Sequence, residues 1–301
     1  MTEPLTETPS APAPEGGARR TIPELWHRGA ARGDSTPAYL VKEGDAWMEV
    51  SWSEAAERVE ALANGLLALG IRKGDTLAIL GSTTLEWALF DYAAACVGAI
   101  TAAIYANSSP KDCHYILEHS EAIGVLVEDD EQAAKLEGGP QLRHVLTFAG
   151  LPELAAQGRA YAAEHPGALA EAIAAIREDD VFTYIYTSGT TGSPKACMIS
   201  HLNYYAMVAV ADDLHDFTVE GDLMLLFLPL AHNFGRLMHL SGPYIGFTIA
   251  FCPDPFEVGD ALLAVRPTVF PSVPRVYEKI HTLVQTQFDA ATGARRRLID
   301  W

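Results

Sequence analysis

The residues Tyr184-Ile185-Tyr186-Thr187-Ser188-Gly189-Thr190-Thr191-Gly192-Ser193-Pro194-Lys195 decide the fold of this 301-residue chain. They begin within a run at 181–186 of β-branched and aromatic residues, which predicts a buried strand of a parallel sheet. A helix is predicted to begin near His201. The connection between strand and helix is rich in hydroxyls and glycines and contains one lysine, so it has the composition of a phosphate-binding loop.

The chemistry of this connection supports that interpretation. Glycine allows backbone N–H groups to turn toward an anion, hydroxyls donate further hydrogen bonds, and Lys195 supplies a full positive charge. No lysine directly follows Gly192, so the G-K-[ST] pattern of kinases and GTPases is missing. The alternative is a Ser/Thr/Gly-rich surface linker, which the flanking buried strand disfavours.

Residues 187–195 resemble the signature loop of the adenylate-forming, or AMP-binding, superfamily, which contains acyl-CoA synthetases, peptide-synthetase adenylation domains and luciferases. The resemblance implies that the loop holds the β- and γ-phosphates of ATP while a carboxylate attacks the α-phosphorus. The implied phosphate-binding residues are Thr187, Ser188, Gly189, Thr190, Thr191, Gly192 and Lys195. Thr190 and Lys195 are also implied to be catalytic. Ala196 stands where the family usually has glycine, and a positive φ there would cost alanine about 1 kcal/mol.

Residues 226–236 are predicted to form a strand that ends in a polar turn, and they resemble the second motif of long-chain fatty acyl-CoA synthetases. The resemblance implies a catalytic role for His232 beside the acyl carboxylate and the reacting phosphate. Its imidazole can orient the carboxylate when neutral or offset phosphoryl charge when protonated. Arg236 is a second candidate for substrate contact. The alternative for His232 is a buried histidine that is hydrogen-bonded to the backbone.

Residues 266–280 resemble a segment typical of long-chain acyl-CoA synthetases more than of peptide-synthetase domains. A short core strand is predicted at 268–270, and Pro274 suits the first turn of a helix with one apolar face. Arg275 is the candidate substrate residue here. A solvated cation at the helix start is the alternative.

Helices and strands alternate along the chain. Ser51 and Glu54 predict a capped helix that stops at Gly70. Further strands are predicted at 76–80, 123–127, 144–148, 223–228 and 247–251, with helices at 86–97 and 155–178. This order predicts an α/β fold with two mostly parallel sheets covered by helices, and ligands at the carboxyl ends of the strands.

Residues 1–20 are predicted to be a disordered tail, because they are rich in proline and glycine and lack an apolar core. Residues 21–301 are interpreted as a partial AMP-binding N-terminal domain, with sub-halves of about 21–175 and 176–301. The apolar run at 92–106 is shorter than the roughly 20 residues that span a bilayer, so it is interpreted as a core helix followed by a strand.

Composition narrows the class of protein. Hydrophobic residues make up 49% and charged residues 20%, which excludes general disorder. The net charge of -18 disfavours nucleic acid as a partner. Four cysteines show neither C-x-x-C nor metal-ligand spacing, which is typical of reduced thiols in a cytoplasmic protein. No metal site formed by protein side chains is predicted, so Mg²⁺ is expected to arrive bound to the nucleotide. Peripheral contact of the protein with the inner membrane surface is left open.

The resemblance implies that a long-chain fatty acid reacts with ATP to give acyl-AMP and then with CoA to give acyl-CoA. It also implies a longer protein, with an adenine-contacting motif, a hinge and a C-terminal domain that are not found in this chain. Two alternatives follow. One is an ATP-binding fragment without independent activity, or one that needs a complementing C-terminal chain; the other is an enzyme that adenylates an aryl or amino acid.

Overall fold

The computed structural model describes residues 19–187, 194–213 and 219–289. These residues belong to two compact units, of which the first extends to Val269 and the second begins at Phe270. The strands of the first unit are β1 (Pro37–Glu43), β2 (Ala46–Ser51), β3 (Thr76–Gly81), β4 (Ile100–Tyr105), β5 (Gly124–Val127), β6 (His144–Thr147), β7 (Val181–Thr187), β8 (Lys195–Ser200), β9 (Leu223–Leu226) and β10 (Thr248–Phe251).

Helices of the first unit alternate with these strands. They are α1 (Ile22–Ala30), α2 (Trp52–Ala68), α3 (Leu85–Cys96), α4 (Pro110–His119), α5 (Asp130–Ala134), α6 (Leu151–Glu164), α7 (Ala168–Ala174), α8 (His201–Ala209), α9 (Asn233–Ile245) and α10 (Val258–Val265). The second unit contains α11 (Pro274–Asp289). Short 3-10 turns occur at Phe148–Gly150 and Val210–Asp213.

The strands form two sheets. The large sheet has the order β6-β5-β3-β4-β7-β8 and is parallel except for the antiparallel β7–β8 pair. The small sheet has the order β2-β1-β10-β9 and is parallel except for β1–β2. The predicted α/β class with two mostly parallel sheets is therefore confirmed. Each sheet takes strands from both sides of residue 175, so that predicted boundary does not separate the sheets.

Local sequence explains the elements that were predicted. The Ser51 hydroxyl accepts a hydrogen bond from the Glu54 N–H and caps α2, and Gly70 follows the helix with a φ of +84°. In α3 every residue except Glu86 is buried, so the apolar run is a core helix that leads into β4, as predicted. In the part of the chain described, no helix is both long enough and apolar enough to cross a membrane.

Three details differ from the sequence prediction. The helix expected over 155–178 is two helices, α6 and α7, because Gly167 adopts a left-handed φ of +91° between them. The strand expected at 268–270 reduces to one bridge between Met224 and Val269. Strand β8 was not predicted, and it changes the geometry of the candidate phosphate loop.

Candidate functional site

The candidate phosphate loop connects the two strands of a hairpin. In the β7–β8 pair, Thr187 lies opposite Lys195 and Tyr186 lies opposite Ala196. Thr187 and Lys195 are both exposed. The predicted loop residues Ser188, Gly189, Thr190, Thr191 and Gly192 lie outside the described residues. The structure therefore brings the first and last residues of the motif together at the base of the loop.

This base lies at the ligand-binding edge of the large sheet. Strand β7 runs parallel to β4, so Thr187 is at the carboxyl end of a parallel strand, where α/β proteins bind ligands. Ala196 lies within β8, and Glu121 and Arg266 are the described non-glycine residues that have a positive φ. The backbone strain considered for alanine at position 196 therefore does not arise.

Helix α4 braces the exit of the loop. The Tyr115 hydroxyl donates a hydrogen bond of 3.0 Å to the carbonyl oxygen of Pro194, the residue before Lys195. His119 lies next to Tyr115, with ring centroids 5.3 Å apart, and its Nδ1 is 3.0 Å from the Tyr186 hydroxyl. Burial raises the pKa of Tyr186 to about 12, so this hydroxyl keeps its proton. Nothing in the sequence motif points to α4, so these contacts could not be predicted from it.

His232 caps the first turn of α9. Its side-chain Nδ1 accepts a hydrogen bond of 3.2 Å from the Phe234 N–H, and the backbone N–H of His232 donates to the Pro229 carbonyl at 2.9 Å. A neutral imidazole that accepts at Nδ1 carries its proton on Nε2. The side chain is exposed, so the alternative of a buried histidine is wrong, although a hydrogen bond with the backbone is present. Nε2–H is left as the donor for a ligand.

The turn before His232 lies against the large sheet, although β9 belongs to the small one. The Thr83 hydroxyl donates to the Leu228 carbonyl at 3.0 Å and accepts from the Leu230 N–H at 3.1 Å. Thr83 is the second residue after Gly81, at which β3 ends. The carboxyl ends of strands from the two sheets therefore meet at this turn.

Sheet order relates the two strand ends at this edge. Strands β3 and β7 lie on either side of β4, and all three run parallel. The carboxyl ends of β3 and β7 are therefore two strand spacings, or about 10 Å, apart. The turn bonded by Thr83 and the base of the phosphate loop thus lie along one edge of the large sheet.

Arg236 does not face this edge, which corrects the substrate role suggested from the sequence. Its side chain is 0% exposed and pairs with the equally buried Asp91 of α3, with Nε 3.0 Å from Oδ2 and a second contact between Nη2 and Oδ1. Its Nη1 donates to the Thr183 hydroxyl at 2.6 Å, and Nη2 donates to the Thr101 hydroxyl. Burial raises the pKa of the Asp91 carboxyl, and the guanidinium and the Thr101 hydroxyl oppose that effect. Arg236 fastens α9 to β4 and β7.

Arg275 lies in the second unit. It is exposed in the first turn of α11, where the Tyr277 hydroxyl donates to the Phe270 carbonyl at 2.9 Å. Its place is that of a helix-start cation, and a role toward substrate stays a prediction.

Comparison with known proteins agrees with this geometry. The family described as AMP-binding enzyme matches residues 26–298. Long-chain-fatty-acid–CoA ligase FadD15 of Mycobacterium bovis is 37% identical over 284 residues, which cover 88% of this chain and 47% of that protein. Long-chain-fatty-acid–CoA ligase ACSBG2 of Rattus norvegicus is 28% identical over 302 residues, which cover 93% of this chain and 45% of that protein. The chain spans about half the length of these curated relatives.

Solved structures support the fold. The N-terminal domain of FACL13 from Mycobacterium tuberculosis has a TM-score of 0.72 and 22% identity, over 85% of this chain and 63% of that one. VinN in complex with L-aspartate has a TM-score of 0.77 and 18% identity, over 89% of this chain and 66% of that one. At such low identity these likenesses concern architecture alone, whereas the family match covers most of the sequence. The chain therefore belongs to the AMP-binding enzyme family.

Proposed function

We propose that this chain supplies the ATP-phosphate and carboxylate site of an enzyme that converts long-chain fatty acids to acyl-CoA. The observation that carries the proposal is the meeting of the two motifs at one edge: Thr187 and Lys195 at the base of the loop, and His232 on a turn tied to the same sheet. The 37% identity with a long-chain-fatty-acid–CoA ligase supports this substrate class over an aryl or amino acid.

The proposed reaction has two steps. A fatty carboxylate oxygen attacks the α-phosphorus of ATP, the bond from that phosphorus to the bridging oxygen of the β-phosphate breaks, and pyrophosphate leaves with acyl-AMP remaining. The sulfur of CoA then attacks the acyl carbon, its proton is lost to solvent, and AMP leaves as the carbon–oxygen bond breaks. Both steps depend on positioning and on charge stabilisation.

The proposed role of each site residue follows from the chemistry of its side chain. Lys195 offsets the charge of the β- and γ-phosphates, and the hydroxyls of Thr187 and Thr190 donate hydrogen bonds to their oxygens. His232 donates from Nε2–H to the attacking carboxylate or to an oxygen of the α-phosphate. Of the described residues, Thr187, Lys195 and His232 are exposed at this edge, and the buried Arg236 is left out of the proposed set.

Mg²⁺ is proposed to arrive bound to ATP, where it neutralises phosphate charge. The described residues contain no group of three or more histidine, cysteine, aspartate or glutamate side chains suited to a metal ion. Phosphate oxygens and water are the ligands that Mg²⁺ keeps in such nucleotide complexes.

The setting of the reaction is also a proposal. All four cysteines are free, which fits a reducing cytoplasm, and contact with the inner membrane surface would be peripheral. Because the relatives are about twice as long as the matched part, a complementing C-terminal chain is proposed as a partner. The second candidate function is ATP binding without independent activity, for which the base of the phosphate loop at Thr187 and Lys195 would suffice.

Two assays separate these functions. Calorimetry measures ATP binding, and ATP–pyrophosphate exchange with palmitate measures adenylation. We expect Lys195→Ala and Thr190→Val to weaken ATP binding at least tenfold, because each removes a phosphate contact worth about 1.5–3 kcal/mol. His232→Ala should keep ATP binding and lose exchange. Lys73→Ala is the matched control, since Lys73 lies before β3 at the opposite edge and pairs with Asp180.

The outcomes are distinct. Absence of ATP binding by the unsubstituted chain would refute the proposal in both forms. Binding without exchange would favour the second candidate, and exchange that appears after addition of the C-terminal remainder of FadD15 would support the partner. Exchange with benzoate or aspartate in preference to palmitate would reassign the substrate class.

A further inference from the structure

We propose that Thr83 is a positioning residue, which holds the turn that carries His232 against the carboxyl edge of the large sheet and so sets the distance between the imidazole and the phosphate loop. The inference rests on the proposed role of His232. It concerns a residue outside the three motifs that the sequence singled out, and it follows from the contacts between the two sheets.

The Thr83 hydroxyl is placed to fix the turn in two directions. It donates to the Leu228 carbonyl at 3.0 Å and accepts from the Leu230 N–H at 3.1 Å, so one oxygen bonds to the backbone on both sides of Pro229. Thr83 is 4% exposed, and both leucines are buried. Because water does not reach these groups, loss of the hydroxyl leaves a buried donor and a buried acceptor unpaired.

The end of β3, from which Thr83 follows, is held by hydrogen bonds and close packing. The Ser82 N–H donates to the Glu128 carboxylate at 2.7 Å, and the Glu128 N–H donates to the Leu80 carbonyl at 3.0 Å. A Cβ on Gly81 would lie 2.9 Å from the Phe148 ring, so the end of β3 packs closely against its neighbours. The end of β3 is thus fixed from the side of β5, and the hydroxyl of Thr83 transmits that position to the turn.

A second attachment lies on the other side of His232. Thr83 precedes α3 and bonds the turn, while Asp91 within α3 bonds Arg236 one helical turn beyond His232. Residues 83–91 therefore run beside residues 230–236, and His232 lies between the two points at which these segments are bonded. Arg236 fixes the helix that follows the imidazole, and Thr83 fixes the backbone that precedes it. Both are needed to define where the ring lies.

The test compares Thr83→Val, which keeps the shape and removes the hydroxyl, with Thr83→Ser, which keeps the hydroxyl. Hydrogen exchange of the Leu230 amide is measured by NMR, with the amide of Ile79 in β3 as the internal reference. The ¹⁵N shifts of the His232 ring report its tautomer. We expect Thr83→Val to speed exchange at Leu230 about tenfold relative to Ile79 and to raise the Nδ1–H tautomer, and Thr83→Ser to match the unsubstituted chain.

Equal Leu230 exchange and equal tautomers in all three proteins would overturn the inference. If Thr83→Val does not fold, Thr83→Ala replaces it under the same criteria, because it removes the same hydroxyl with less crowding. Neither readout needs turnover, so the test is independent of the proposed function. Failure of ATP binding or of ATP–pyrophosphate exchange would refute that function, and hydrogen exchange at the Leu230 amide would still decide the role of Thr83. Where ATP–pyrophosphate exchange with palmitate is measurable, Thr83→Val should lower its kcat about tenfold and keep the KM for ATP within twofold. Thr83→Ser should have the kcat of the unsubstituted chain.

Discussion

Replacement of Arg236 by methionine should strongly destabilise the first unit. The guanidinium is 0% exposed and bonds the carboxylate of Asp91 and the hydroxyls of Thr101 and Thr183. Its positive charge also lies 4.5 Å from the centroid of the Phe182 ring. Methionine has a comparable length and no charge, so the variant removes the interactions while it fills much of the space.

The size of the effect follows from what is left behind. Arg236→Met leaves the Asp91 carboxylate buried without its countercharge, and breaking a buried pair in this way costs about 3–5 kcal/mol. Asp91→Leu leaves the opposite charge unpaired at a similar cost. The double variant removes both charges, so we expect it to lose at least 2 kcal/mol less than the sum of the two single losses.

Urea unfolding at pH 7, followed by fluorescence of the buried Trp52 and Trp87, measures these differences. With an m value of about 2–3 kcal/mol/M, the single variants should lower the midpoint by about 1–2 M. Arg58→Met is the matched control. Arg58 is partly exposed and lies 3.8 Å from Glu54 and 3.9 Å from Glu86, so its loss should cost less than about 1 kcal/mol.

Two results would refute the reasoning about Arg236. One is a loss in Arg236→Met as small as that in Arg58→Met, which would mean that the buried pair does not stabilise the contact between α9 and the sheet. The other is simple additivity of Arg236→Met and Asp91→Leu, which would mean that the two side chains act independently.

Two further predictions concern the loop brace and pH. Tyr115→Phe removes the hydrogen bond to Pro194 and should weaken ATP binding about three- to tenfold by calorimetry while the urea midpoint changes little; a loss equal to that in Tyr161→Phe, on α6, would contradict the brace. Burial lowers the pKa of His201 to about 4, from a value near 6.5 in the unfolded state. Between pH 6.5 and pH 4 the unfolded state therefore binds more protons than the folded state. The free energy of unfolding should fall by on the order of 3 kcal/mol as the pH drops through that range. His201→Gln should reduce the dependence of the free energy of unfolding on pH in that range, as measured by urea unfolding at several pH values. An unchanged dependence in this variant would disprove the attribution to His201.

Much of the fold could be predicted because the signals are local. The apolar and β-branched run of β7, the capped helix α2, and the apolar stretch that becomes α3 and β4 each depend on residues near in sequence. Strand β8 was missed for the same reason. Three of its six residues are exposed, including the apolar Met198 at 68%, so the strand lacks the alternation that marks a half-buried strand.

The candidate site was predictable in part. Exposure of Thr187, Lys195 and His232 agrees with roles that the motifs suggested, and their functions stay predictions. Arg236 was misplaced because a cation just after a polar turn looks like a ligand contact in sequence, whereas its partner Asp91 is distant along the chain. Thr83 gave no signal at all, since its importance lies in a contact with a strand end of the other sheet.

The two halves of the candidate site are positioned by different kinds of interaction. Thr187 and Lys195 are aligned by the backbone ladder of β7 and β8, which does not depend on the identity of the intervening side chains. His232 follows a strand of the small sheet, so its position against the large sheet depends on side-chain bonds from Thr83 and Arg236. Conservative changes in β8 at residues 196–200 should therefore be tolerated, while the loss of the Thr83 hydroxyl or the Arg236 guanidinium should displace the His232 imidazole. Substitutions that displace a site residue without removing it should thus act mainly on the His232 side, whereas on the phosphate-loop side the loss of a contact residue itself, such as Lys195, should matter most.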